Sequence, residues 1–75
     1  MKEYISVLLN GKEKNRIVKD ETKKNMNQII KDETENIDVF SIRINGRRPL
    51  PRCIKSMQLN DIEKIEIFEE TINPS

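Results

Sequence analysis

The dipeptide Asn-Gly occurs twice, at residues 10–11 and 45–46, and each copy ends a short run of apolar and β-branched residues. The tightest β-hairpin turns need positive φ at both central positions, and Asn followed by Gly meets that need at the least steric cost. Each dipeptide therefore marks a place where a strand stops and the chain reverses. The run before the first is Tyr4 to Leu9. The run before the second, Val39-Phe40-Ser41-Ile42-Arg43-Ile44, alternates, with Phe40, Ile42 and Ile44 on one face and Ser41 and Arg43 on the other.

Between the two strands the pattern changes period. A partner strand is expected from about Glu13 to Val18, and its Lys14 and Arg16 suit an edge, where charge discourages unwanted pairing. Asp20-Glu21-Thr22 offers capping oxygens and negative charge for a helix start. Met26, Ile29 and Ile30 then fall at i, i+3 and i+4, a narrow apolar stripe among polar neighbours, and the polar stretch Asp32 to Asn36 closes the helix. Beyond the second turn, Arg47 to Cys53 contains Pro49 and Pro51, so a strand there is short and confined to an edge or bulge. Ile54, Met57 and Leu59 supply anchors for a connecting loop or single turn. Lys64 to Glu69 alternates again, with Ile65 and Ile67 pointing inward.

The order strand, hairpin strand, helix, strand, short strand, strand defines an α+β fold. It is a mixed sheet of four to five strands with one helix across one face, in the order of a β-grasp, or ubiquitin-like, domain. A right-handed crossover would place the last strand beside the first. One domain over residues 1–70 is expected, with 71–75 as a flexible tail.

What the chain lacks narrows its chemistry. A chain of 75 residues carries a thin core, because a domain of this size buries only about 60% of its unfolded surface; a deep substrate cavity is not expected. The sequence has no histidine and one cysteine, Cys53. Neither an internal disulfide nor the usual zinc sites can form from such a set, and Cys53 has no imidazole to activate it. Arg52 and Lys55 could lower its pKa but provide no general base. The carboxylates are interspersed with Lys, with no apolar-flanked pair suited to acid–base work. Neither cofactor nor metal is expected, and the chain reads as a non-enzyme. The net charge of +1, with 36% charged and 35% hydrophobic residues, lacks the strong basicity of a dedicated nucleic-acid binder. The opening Met-Lys-Glu-Tyr-Ile-Ser-Val-Leu-Leu-Asn has an acidic residue early and only a short apolar run, too little for a signal peptide or membrane span, so a cytoplasmic protein is expected.

From Ile42 to Ile67 the chain resembles the bacterial sulfur-carrier proteins of thiamine synthesis, relatives of the small subunit of molybdopterin synthase and of ubiquitin. The resemblance rests on Ile42-Arg43-Ile44-Asn45-Gly46, then Pro51-Arg52, then Leu59-Asn60-Asp61-Ile62-Glu63-Lys64-Ile65-Glu66-Ile67. Over the first half, Val7-Leu8-Leu9-Asn10-Gly11 suits the family's first strand and turn, and Thr22 stands where its helix-capping Thr usually sits. The resemblance implies a β-grasp fold and a partner that is an adenylating or other biosynthetic enzyme. Two features depart from the family. Its members end in Gly-Gly, which passes through a narrow enzyme channel because it carries no Cβ. Here the last residues are Ile72-Asn73-Pro74-Ser75, ill suited to adenylation and thiocarboxylate formation. Ile62-Glu63 also replaces the usual Gly-Asp turn.

Two groups of residues are candidates for partner binding. Arg43, Arg47, Arg48 and Arg52 surround the second Asn-Gly turn and could clamp carboxylates or phosphates; the plainer alternative is a solvated loop balanced by Glu63, Glu66, Glu69 and Glu70. Leu8 and Phe68 fall out of step with the inward residues of their strands. If those strands are neighbours, both share an exposed face with Ser41, Arg43 and Glu66, as an interface anchor with a polar rim would; a register one residue off would instead put Phe68 in the core. Three functions are carried forward: a ubiquitin-like module acting by non-covalent protein–protein interaction, a working sulfur carrier with an atypical or processed tail, and a nucleic-acid-binding module built on the four arginines. The third is disfavoured by the lack of Trp and the presence of only one Tyr and two Phe for base stacking.

Overall fold

The computed structural model describes residues 3–70, so residues 71–75, the expected tail, lie outside the described residues. Both Asn-Gly dipeptides turn the chain with positive φ throughout: Asn10 at 51°, Gly11 at 86°, Asn45 at 54° and Gly46 at 79°. The first joins β1 (Tyr4–Leu9) to β2 (Lys12–Val18) as an antiparallel hairpin. Helix α1 (Met26–Glu33) leads to β3 (Phe40–Ile44), a short helix α2 (Pro51–Ile54) and a 3₁₀ turn (Leu59–Asp61) lead on, and β4 (Lys64–Glu69) closes the order. The sheet is mixed and four-stranded in the order β2-β1-β4-β3. β4 runs parallel to β1 and antiparallel to β3, so the last strand lies beside the first, and β2 is an edge.

The core follows the alternation of the strands. Ile5 and Val7 from β1, Ile65 and Ile67 from β4 and Ile44 from β3 meet Met26 and Ile29 of α1, with Ile62 closing one end; all eight are buried. Each such side chain contributes about 1.5–3 kcal/mol through burial. Phe40 and Ile42 pack against this cluster from the same face, as do Ile54, Met57 and Leu59 from the connection.

The helix begins later than Asp20-Glu21-Thr22. Its N-cap is Asn25, which forms a reciprocal capping box with Gln28: the Gln28 N–H donates to Asn25 Oδ1 (2.9 Å) and the Asn25 N–H donates to Gln28 Oε1 (3.1 Å). Residues 21 and 22 instead close a turn at the end of β2, their N–H groups both donating to the Val18 carbonyl at 3.2 Å. Thr22 spends its hydroxyl on the Lys24 N–H, so it does not cap the helix.

No strand forms over Arg47 to Cys53. After the Asn45-Gly46 turn, Ile44 and Arg47 exchange two backbone hydrogen bonds (2.8 and 3.1 Å) and the ladder stops. Pro49 and Pro51 have no N–H to extend it, and Pro51 opens α2 at the helix position where a missing N–H costs nothing. Among the described residues the sheet therefore has four strands.

β2 carries a bulge. Val7 pairs with Asn15 and Leu8 with Glu13, leaving Lys14 as the extra residue. Lys14 and Asn15 both reach the end of α1: Lys14 Nζ donates to the Glu33 carbonyl (2.6 Å) and lies 3.2 Å from its carboxylate, while Asn15 Nδ2 donates to Glu33 Oε1 (2.9 Å). A cation on the last turn of a helix is favoured by the carbonyls exposed there.

Candidate functional site

Helix α1 covers one face of the sheet, and the opposite face is open. Three strands contribute one row across it, because Glu66 of β4 pairs on one side with Leu8 of β1 and on the other with Arg43 of β3. Phe68 lies one step further along β4, opposite Ser41. The Arg43 guanidinium stands over the Phe68 ring, 5.7 Å from its centroid. Lys64, one step the other way, pairs with Glu66 at 3.5 Å. Arg43 is exposed and makes no ion pair among the described residues, so the Phe68 ring is the contact the fold gives its guanidinium.

The same face continues onto β2. Ser6 is paired with Arg16 and Leu8 with Glu13, and Arg16 Nε donates to Glu13 Oε1 at 2.6 Å. That hydrogen bond, with the attraction of the guanidinium, holds the Glu13 carboxyl below the usual range and pushes Arg16 further up. Tyr4 adds an exposed ring at the near end. Half-buried Leu8 and Phe68 are thus bordered by Glu13, Arg16, Arg43, Lys64 and Glu66. The face therefore has a half-buried apolar centre and a border of mixed charge.

The four arginines around the second turn do not form one cluster. Arg43 belongs to the open sheet face. Beyond the chain reversal, Arg47 and Arg48 line a groove of about 650 Å³ on the other side of β3, next to Leu50, Met57 and Ile62. Arg52 sits on α2 outside that lining. The groove had one sequence signal, Leu50 held between Pro49 and Pro51, yet its other wall comes from residues 56–62 and only the fold brings the two together. Exposed Cys53 lines it too. Among the described residues no group of three or more His, Cys, Asp or Glu could hold a metal ion, and no helix is long and apolar enough to cross a membrane.

Two buried polar residues are fastened into the fold. Lys19, with a side chain only 3% exposed, donates from Nζ to the Asn60 carbonyl (3.1 Å) and approaches the Glu3 carboxylate (3.9 Å), joining the end of β2 to the 3₁₀ turn. Buried Thr34 donates its hydroxyl to the Ile30 carbonyl (2.7 Å). Among the described residues, no buried side-chain nitrogen or oxygen lacks a partner.

Compared with known proteins, the chain matches no family model, no curated protein and no solved structure.

Proposed function

We propose that the protein is a non-catalytic β-grasp, ubiquitin-like module that docks onto another protein through the open face of its sheet. Support for the fold reading is the element order together with the parallel pairing of β1 with β4 between two outer strands. The observation that carries the docking reading is the row Leu8, Glu66, Arg43 with Phe68 beneath the guanidinium. Glu66 already has Lys64 as its counter-ion, whereas Arg43 has no carboxylate partner among the described residues. The surface that fits is therefore a protein presenting an apolar side chain to Leu8 and Phe68 with a carboxylate close enough to reach Arg43.

A photo-crosslinking residue placed at Ser41, beside Phe68, tests this in the native host. It should yield a discrete cross-linked protein that is lost on adding Phe68→Ala or Arg43→Glu. The same residue at Lys31, on the opposite side of the molecule, should not yield it. Equal products from both positions would overturn the reading.

A second reading, a working sulfur carrier, is favoured by the spacing from Asn45-Gly46 through Pro51-Arg52 to Leu59-Asn60-Asp61. Its reactive group would fall at residues 71–75 or beyond them, outside the described residues. Mass spectrometry of the protein from its host tests it: a terminal thiocarboxylate would establish the carrier, and a thiocarboxylate or a trimmed terminus would count against the purely non-covalent module.

A further inference from the structure

We propose that the groove between the Asn45-Gly46 turn and the 3₁₀ turn is a second binding site, for an extended acidic segment of a partner protein. An aliphatic side chain of that segment would seat beside Leu50 and Met57, with its carboxylates held by Arg47 and Arg48. This site is independent of the docking face above, and three observations carry it.

The first is charge. Residues 47–58 contain Arg47, Arg48, Arg52 and Lys55 and not one Asp or Glu. None of the four makes an ion pair among the described residues. Four positive charges in a chain of net charge +1 leave −3 for the rest, so this connection carries the chain's excess of positive charge. Guanidinium groups pair with carboxylates through two parallel hydrogen bonds, and Arg47 and Arg48 lie exposed at the groove wall.

The second is shape. The groove of about 650 Å³ has room for a side chain and its flanking backbone, and Ile44, Met57 and Ile62 give it an apolar floor. Leu50 on its border is 55% exposed, more than Tyr4 or Val39, the other exposed large apolar residues described. No aromatic residue lines the groove, so it offers no stacking surface to nucleic-acid bases, which favours a peptide over an oligonucleotide.

The third is rigidity. Asn45 Nδ2 donates to the Asp61 carbonyl (2.8 Å), fixing one wall to the other. The Cys53 N–H donates to the Leu50 carbonyl (2.9 Å) and the Met57 N–H to the Ile54 carbonyl (3.1 Å), so the connection is held by its own backbone. A preformed groove spares its occupant part of the ordering cost of binding.

Panning a random peptide phage library on the folded protein, then measuring the selected peptides by fluorescence anisotropy and amide NMR, tests the proposal. Selected peptides should carry Asp or Glu around a Leu, Ile or Met and shift the amides of residues 47–62. Arg48→Glu should weaken them about tenfold or more, the loss expected for one charge-assisted contact. Asp61 is the sole carboxylate among the lining residues, so Asp61→Asn should tighten them about two- to fivefold. Phe68→Ala should leave them unchanged, separating this site from the sheet face. The proposal is overturned if no peptide is enriched, if the enriched peptides are not acidic, if Arg48→Glu leaves their affinity intact while the amide spectrum shows a folded protein, or if a mixed single-stranded oligonucleotide displaces them at equal concentration.

Discussion

Asn10 and Asn45 hold the same strand at its two ends. Asn45 Oδ1 accepts the N–H groups of Glu63 (2.7 Å) and Lys64 (3.2 Å), where β4 begins, and Asn10 Oδ1 accepts the N–H of Glu69 (2.9 Å), where β4 ends. Topology explains the pairing. β4 lies between β1 and β3, parallel to one and antiparallel to the other, so the turns that follow those two strands fall at its opposite ends. Each asparagine thus supplies the left-handed turn its own hairpin needs and an acceptor for its neighbour; glycine could supply only the first.

The two clamps differ in strength, which gives a graded prediction. Asn45 makes three side-chain hydrogen bonds, counting that of Nδ2 to the Asp61 carbonyl, and Asn10 makes one to β4. Asn45→Gly preserves the turn and removes only those bonds, so it should cost about 1–3 kcal/mol, against about 0.5–1.5 kcal/mol for Asn10→Gly. Asn45→Ala should cost a further 1 kcal/mol or so for a Cβ at φ of 54°. Denaturant midpoints of the three variants check the ranking, and equal losses for the two glycine variants would show that the clamp at the start of β4 is not special.

Register separates Phe68 from its neighbours. Ile65 and Ile67 are fully buried, while Phe68 is half-buried on the open face and leans on Arg43. Ile65→Ala should therefore cost about 2–5 kcal/mol, and Phe68→Ala far less. In a double-mutant cycle, Arg43→Ala and Phe68→Ala should show a coupling of about 0.5–1 kcal/mol. Thermal unfolding of the five proteins (wild type, Ile65→Ala, the two singles of the cycle and their double) measures both. A Phe68→Ala loss as large as that of Ile65→Ala would move Phe68 into the core.

What the sequence revealed and what it hid divide along physical lines. Strand positions were legible because an apolar run ended by Asn-Gly and an alternating run are both local signals: Tyr4 to Leu9 and Lys64 to Glu69 match β1 and β4 from end to end. The helix start was not, because Thr22 and Asn25 are both good caps. What decides between them is the reciprocal bond from Gln28, which only Asn25 can make. Of the expected site residues, Leu8, Arg43, Glu66 and Phe68 do meet, since strand register carries side-chain direction. Arg47, Arg48 and Arg52 separate from Arg43 because the tight turn and Pro51 redirect the chain. Buried Lys19 gave no sequence signal; its partners at Glu3 and Asn60 are set by the tertiary fold.

The bulge in β2 should matter through Lys14. Its ammonium ties the edge strand to the last turn of α1, and the side chain is 38% exposed, so the ion-pair part is screened. Lys14→Met should cost about 0.5–1.5 kcal/mol, chiefly through the lost hydrogen bond to the Glu33 carbonyl. Amide exchange locates the effect: protection should fall at the C-terminal turn of α1 and hold in β1 and β4. Uniform loss across the sheet would instead mean that Lys14 supports the hairpin as a whole.

Acid dependence should show at Glu13. Its hydrogen bond from Arg16 lowers the folded-state pKa, so the carboxylate is favoured in the folded protein. The sign follows from linkage: this contribution is fully present above the ordinary glutamate pKa and is lost as the pH falls through the lowered one. Both side chains are on the open sheet face, where solvent screens them, so the effect on stability is small and the titration itself is the better readout. Carboxyl-carbon NMR of the wild-type protein should give Glu13 a midpoint below that in Arg16→Gln, where the donor and its charge are gone. The stability difference between the two proteins should likewise shrink as the pH falls through the wild-type midpoint. If Arg16→Gln left the Glu13 midpoint in place, the short Arg16 contact would not persist in solution, and the β2 side of the open sheet face would carry its charges unpaired.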